Sequence, residues 1–145
     1  SENRSTLFDY EGFGGEGRTH PVPFEFTSAE PNELSGNNES ASAVEFLLHA
    51  LAASLVTTFV FRAAAIGVAI ESLFTQVEGE VDVRGMLGME DAPASGYERI
   101  RVGMDVKANC PDELITEIAE FARVHSPVCN TIMRAVEVRI ERPAA

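Results

Sequence analysis

Basic residues are scarce in this chain. Its 145 residues hold 11 Lys and Arg against 23 Asp and Glu, a net charge of −12, and Lys107 is the single lysine. Neutralising phosphates requires a basic face, so nucleic acid is excluded as a partner. An anionic membrane surface is excluded on the same ground. Cysteine is equally sparse, with Cys110 and Cys129 the only two. Two thiols and no apolar leader point to a reduced, cytoplasmic protein rather than a disulfide scaffold. A membrane span wants about 20 mostly apolar residues. The longest charge-free run, Phe46 to Phe61, has sixteen and includes His49, Ser54, Thr57 and Thr58. Metal-ligand spacing is missing too: His49 and His125 are placed neither with each other nor with a cysteine as a zinc site needs, and no metal or other cofactor is expected. The glycine-rich stretch Gly12-Phe13-Gly14-Gly15-Glu16-Gly17 is followed by no Lys-Ser or Lys-Thr and no helix, which makes it a turn and not a phosphate loop.

What remains has the composition of a folded protein. Hydrophobic residues make up 45% and charged residues 23%, close to globular averages, and the length suits one domain spanning 1–145. Charge divides the chain in three: residues 1–45 carry −7, residues 46–70 carry only Arg62, and residues 71–145 carry −6. A nearly uncharged block therefore sits between two acidic flanks.

That block reads as a helix from Ala43 to about Ile66. Ser42-x-x-Glu45 has the capping-box pattern at its start, no Pro or Gly interrupts it, and Gly67 stands at its C-cap. Apolar residues surround the helix instead of forming one stripe, so it must be covered on nearly every side. A second copy of the chain is the expected cover, giving an obligate homodimer. Short strands are expected over residues 5–10 and Phe24–Thr27, with a polar loop over Ser28–Ser42. Beyond Gly67 the period changes to two. Leu73, Thr75, Val77, Val81 and Val83 alternate with Phe74, Gln76, Glu78, Glu80, Asp82 and Arg84, and Ile100, Val102, Met104 and Val106 alternate with Arg99, Arg101, Gly103, Asp105 and Lys107, which predicts a hairpin of two long strands joined by a loop over 85–97. Gly79 falls on the inward face, marking a bulge or a close helix approach. Pro111 opens an amphipathic helix with Leu114, Ile115, Ile118, Ala119 and Ala122 on its buried side. Ser126-Pro127 caps a short helix over Val128–Met133, and Val136, Val138 and Ile140 predict a closing strand. The class is α+β, with an antiparallel sheet packed on a long buried central helix and a second amphipathic helix.

Three segments resemble the OsmC/Ohr family, the osmotically induced and organic-hydroperoxide-resistance proteins. VEFLLHALAASLVTTFVFRAAAIGVAIESL is similar to that family's central helix and its exit into the sheet. QVEGEVDVRG and RIRVGMDVKA are similar to its strand pair. PDELITEIAEFARVHSPVCNTI with VEVRI is similar to its second helix, proline turn and last strand. Together they cover about residues 40–142. The resemblance implies an intertwined homodimer with two sites at the subunit interface. It also implies a peroxide-reducing thiolate on the long helix, a resolving cysteine before the proline of the last motif, and a Glu and an Arg that hold the thiolate.

Carried over by position, the first cysteine falls on Ser54 and the second on Ser126. A hydroxyl is far less acidic than a thiol and forms no sulfenic acid, so the usual two-cysteine chemistry has no sulfur to run on. Glu45 matches the helix-start Glu and Arg4 the N-terminal Arg. Ser54 has no nucleophile-elbow sequence around it, and a serine in an apolar helix ordinarily bonds its own backbone one turn back. Cys129 is the one thiol near either position, three residues into the short helix, and reads either as a reactive thiol or as a small buried hydrophobe. His49 reads as an interior histidine; His125 either donates into the pocket or caps the helix before it. Two functions stay open. One is a stress-related OsmC-like protein holding a small molecule at the dimer interface without redox turnover. The other is a thiol-dependent organic hydroperoxide reductase using Cys129.

Overall fold

The computed structural model describes residues 2–5 and 24–142. The expected turn at Gly12–Gly17 and residues 6–10 of the first expected strand lie outside that set. Two compact units divide the chain, residues 1–46 and 47–145.

In the first unit, β1 (Glu2–Ser5) pairs antiparallel with β2 (Phe24–Thr27). The polar stretch after β2 is a loop with one 3-10 turn at Asn32–Leu34. It leads into α1 (Ala43–Ala65) through the capping box expected from the sequence. Glu45 accepts from the Ser42 N–H at 2.7 Å and the Ser42 hydroxyl at 2.8 Å, and the Glu45 N–H donates back to Ser42 Oγ at 3.4 Å. Phe26 meets Phe46 edge-on with ring centroids 6.0 Å apart.

The second unit holds the core. At the far end of α1, Gly67 takes φ +77°, and the Val68 N–H reaches back to the Ala63 carbonyl at 2.9 Å while the Gly67 N–H reaches Ala64 at 3.1 Å. This pair of bonds closes the helix end with a left-handed residue that favours glycine. The chain then enters β3 (Ile70–Val81), turns through a short α2 (Val83–Met86), and returns as β4 (Tyr97–Ala108) in antiparallel register, Leu73 opposite Val106 and Val77 opposite Val102. β3 stops at Val81, short of the expected Arg84. The Asp82 side chain accepts from the Arg84 N–H at 2.9 Å and so caps a helical turn inside the expected loop. The Arg84 guanidinium on the same carboxylate draws the Asp82 pKa down to about 2.

The register slips between Gly79 and Val81, where the bulge was expected. The neighbour that needs glycine there is not a helix but the Tyr97 ring: a Cβ at position 79 would stand 2.6 Å from it. α3 (Asp112–His125) and α4 (Pro127–Met133) follow. Leu51, Leu55, Phe59 and Ala63 form one stripe of α1, four residues apart. They pack with Ile118, Ala122 and Cys129, backed by Leu73, Val77, Met104 and Ile115.

Both strand pairs among the described residues are antiparallel, as expected. One expected element is corrected. Val136, Val138 and Ile140 form no strand and are 57%, 82% and 95% exposed, because alternation without a neighbouring strand leaves the backbone nothing to pair with. Within the single chain α1 is buried along its stripe, with Leu47, Val60 and Phe61 exposed on the side that a second copy is expected to cover. At 23 residues it is long and apolar enough to cross a membrane by length and composition, beyond the charge-free run counted in the sequence. The packed stripe is nonetheless what a core helix of a folded domain shows.

Candidate functional site

The positions matched to the two cysteines of the resemblance are brought together. Ser54 lies mid-way along α1 and Ser126 at the N-cap of α4, and their Oγ atoms are 2.8 Å apart. Each hydroxyl also accepts an amide from the first turn of α4: Val128 N–H to Ser54 Oγ at 3.5 Å, Cys129 N–H to Ser126 Oγ at 3.2 Å. One hydroxyl donates to the other, and the pair pins α4 to α1. Ser126 is 0% exposed. Its backbone is held as firmly, its N–H on the Ala122 carbonyl at 2.8 Å and its own carbonyl taking the Asn130 N–H at 2.9 Å.

Ser54 therefore does not bond back along its own helix as expected. Thr57 and Thr58 do that instead, at 2.9 Å to the Ala53 and Ser54 carbonyls. Ser54 is diverted because α4 brings amides and a second hydroxyl to it. Among the described residues no His, Asp or Glu reaches either serine, so no base is present to raise the nucleophilicity of either oxygen.

The other candidates scatter. The Glu45 carboxylate is committed to the helix cap, and the Ser42 N–H and hydroxyl that bond it hold its pKa below the ordinary value. Arg4 sits in β1 opposite Glu25; its side chain lies outside the described set. His49 is exposed, not interior, since the side of α1 that carries it is uncovered in the single chain. His125 neither donates to the serines nor caps α3. Its ring stacks on Phe121 at 4.1 Å, and the Arg62 guanidinium lies 4.7 Å from the same Phe121 ring. No cluster of three or more His, Cys, Asp or Glu able to hold a metal occurs among the described residues.

Cys129 occupies its expected place in α4 and is 8% exposed, part of the core. Its S–H donates to Met133 Sδ at 3.7 Å. It also borders a groove of 900 Å³ between α1, β4, α3 and α4, whose walls include Leu51, Leu55, Ile100, Met104 and Ile115. Arg99, Arg123 and Glu120 line it as well. Arg123 donates to both Glu120 oxygens, at 2.8 and 2.6 Å. This lowers the Glu120 pKa and raises that of Arg123. A further Arg123 N–H lies 3.8 Å from Met133 Sδ. The sequence reading overlooked this groove. Its signal was present as spacing: Glu120 and Arg123 three apart on one helix, Cys129 and Met133 four apart on the next.

Residues 36–141 match the model of the OsmC-like protein family. An OsmC-like protein from Mycoplasma pneumoniae superposes with a TM-score of 0.63 at 16% identity, covering 92% of this chain and 86% of the other. The organic hydroperoxide resistance protein OsmC from Legionella pneumophila gives 0.59 at 16% identity, covering 88% of each chain. An OsmC-like protein of unknown function from Vibrio cholerae gives 0.54 at 11% identity, covering 89% and 92%. No curated protein sequence matches the chain.

Proposed function

The chain belongs to the OsmC-like family, and from that premise we propose that it is a homodimeric binding member which holds a small apolar or acidic molecule and does not turn over peroxides by the two-cysteine route. The observation that carries this reading is the 2.8 Å contact between Ser54 Oγ and Ser126 Oγ. Where the resemblance implies a thiolate and its resolving partner, two hydroxyls bond each other and the α4 amides. Neither oxygen can be oxidised to a sulfenic acid or close a disulfide. The groove lined by Leu55 and Cys129 supplies the binding volume, apolar along α1 and β4 and bordered by Arg99 and Glu98 and by the Arg123–Glu120 pair. Dimerisation is supported by the uncovered side of α1, where Leu47 is 40%, Val60 42% and Phe61 71% exposed; a second copy removes that surface from water. A reduced cytoplasmic setting fits two free thiols, Cys110 and Cys129.

The second reading, a thiol peroxidase at Cys129, is favoured by one fact: this thiol borders the groove. A sulfenic acid formed there has no second thiol bonded to it, so its resolution waits for an outside one.

A peroxide-consumption assay with a dithiol donor separates the two. Negligible turnover is expected for the unaltered protein and for Cys129→Ser, with activity emerging only in the double variant Ser54→Cys with Ser126→Cys. Robust turnover of the unaltered protein that disappears in Cys129→Ser establishes the second reading instead.

A further inference from the structure

We propose that Cys129, Met133 and Met104 form a binding site for a soft monovalent cation, Cu(I), at the α4 wall of the groove. The site needs neither the homodimer nor the small-molecule reading above, since every ligand comes from one chain.

Six residues of the chain carry sulfur, two Cys and four Met, and three of them border this one groove. Cys129 and Met133 lie four apart on α4, hence on one side of it. Their sulfurs are 3.7 Å apart, the Cys129 S–H donating to Met133 Sδ. Both side chains are held from behind. The Cys129 N–H bonds Ser126 Oγ at 3.2 Å, and an Arg123 N–H points to Met133 Sδ at 3.8 Å. Met133 is 62% exposed and Cys129 8%, so the thioether stands at the mouth and the thiol behind it.

The spacing has a chemical meaning. A metal about 2.3 Å from each of two sulfurs 3.7 Å apart sees them at an angle of about 107°. Linear two-coordination would need them about 4.6 Å apart, so this pair calls for a third donor. Met104 supplies it from β4: it borders the same groove and packs on the core cluster that includes Cys129. On binding, the cation takes the place of the proton that bridges the two sulfurs. The S–H bond breaks with its electron pair kept on sulfur, that pair binds the metal, and the proton leaves to water. No oxidation state changes. One thiolate with thioethers is a soft donor set, which favours Cu(I) over harder ions. Charge selects in the same direction. Thiolate and Cu(I) cancel, and Arg123 is already paired with Glu120 at 2.6 Å, so no net charge enters the apolar side of the groove. A divalent ion would leave one positive charge over, close to the Arg123 guanidinium. The expectation of no metal weighs His and Cys spacing, in which thioethers have no part.

Anaerobic competition for Cu(I) against a chromogenic chelator tests this on the full chain. One Cu(I) per chain is expected, with release of one proton. Cys129→Ser should lower the affinity at least about 100-fold and Met133→Leu about tenfold, while Met86→Leu and Cys110→Ser change nothing. Binding that Met133→Leu leaves intact reveals a thiolate acting alone and overturns the site. Binding lost in Cys110→Ser overturns it as well. Zn(II) held as tightly as Cu(I) overturns the selectivity. Should Cys129→Ser fail to fold, methyl spectra of the unaltered protein carrying 13C-methionine decide. Of the four methionine signals, those of Met133 and Met104 are expected to move on Cu(I) loading and those of Met86 and Met89 to stay. A still Met104 signal overturns the third ligand, and a still Met133 signal overturns the proposal.

Discussion

β3 and the C-terminal segment are written in the same pattern and end in opposite states. In β3, Leu73, Thr75, Val77 and Val81 are half-buried and in ladder with β4, while Phe74, Gln76, Glu78 and Glu80 between them are exposed. In the segment, Val136, Val138 and Ile140 alternate as regularly and stand in solvent. Period-two alternation fixes which side chains share a face; it does not supply a neighbour. β3 has one because the connection over residues 82–96, which contains α2, returns β4 beside it. The segment follows α4, with no strand placed beside it.

The comparison breaks most visibly at a matched pair of substitutions. Val77→Asp puts a charge among the core residues and is expected to cost about 3 kcal/mol, unfolding the unit at lower denaturant. Val138→Asp, at a position 82% exposed, should leave that unfolding unchanged to within about 0.5 kcal/mol. Equal losses of fold stability would show that the segment already packs within its own chain. Gly79→Val drives a side chain into the Tyr97 ring and should cost about 2 kcal/mol, read by thermal unfolding. Ser126→Ala removes the α4 cap and leaves Ser54 with only the Val128 N–H, for about 1–2 kcal/mol. Adding Ser54→Ala to it should cost less than the sum of the two single changes, since no hydroxyl is then left without a partner.

The smallest effect lies at the α1 cap. Glu45 has a folded pKa below its ordinary 4.5 because Ser42 bonds its charged form. Its contribution is complete above that unfolded value and is lost as pH falls through the lower folded one. Glu45→Gln should therefore lower stability slightly at neutral pH and flatten the acid side of the stability–pH curve, so that the two proteins converge at low pH. An unchanged acid limb would mean that the cap contributes nothing.

Local signals were legible wherever they were also sufficient. Ser42 with Glu45, Gly67, the Gly79 bulge, Pro111 and Ser126-Pro127 all mark boundaries that short-range geometry decides. α2 escaped because the Asp82 cap competes with a strand pattern running through Val83. The fate of Val136–Ile140 and the exposure of His49 depend on what lies beside them, which no window of sequence contains. At the site, the positions of Ser54 and Ser126 were readable by resemblance, while their mutual bond needed α4 to arrive at α1. The groove needed four elements at once.

Tyr97 has a use beyond packing. The chain has no tryptophan and two tyrosines, Tyr97 being one and Tyr10 the other. With Tyr10 replaced by phenylalanine, all tyrosine emission comes from the ring lying over Gly79, at the point where β3 and β4 leave register. The protein thus carries its own optical probe at the closing end of the hairpin. Stopped-flow tyrosine fluorescence can time the formation of that bulge with no label added, separately from far-UV ellipticity, which is dominated by α1 and α3.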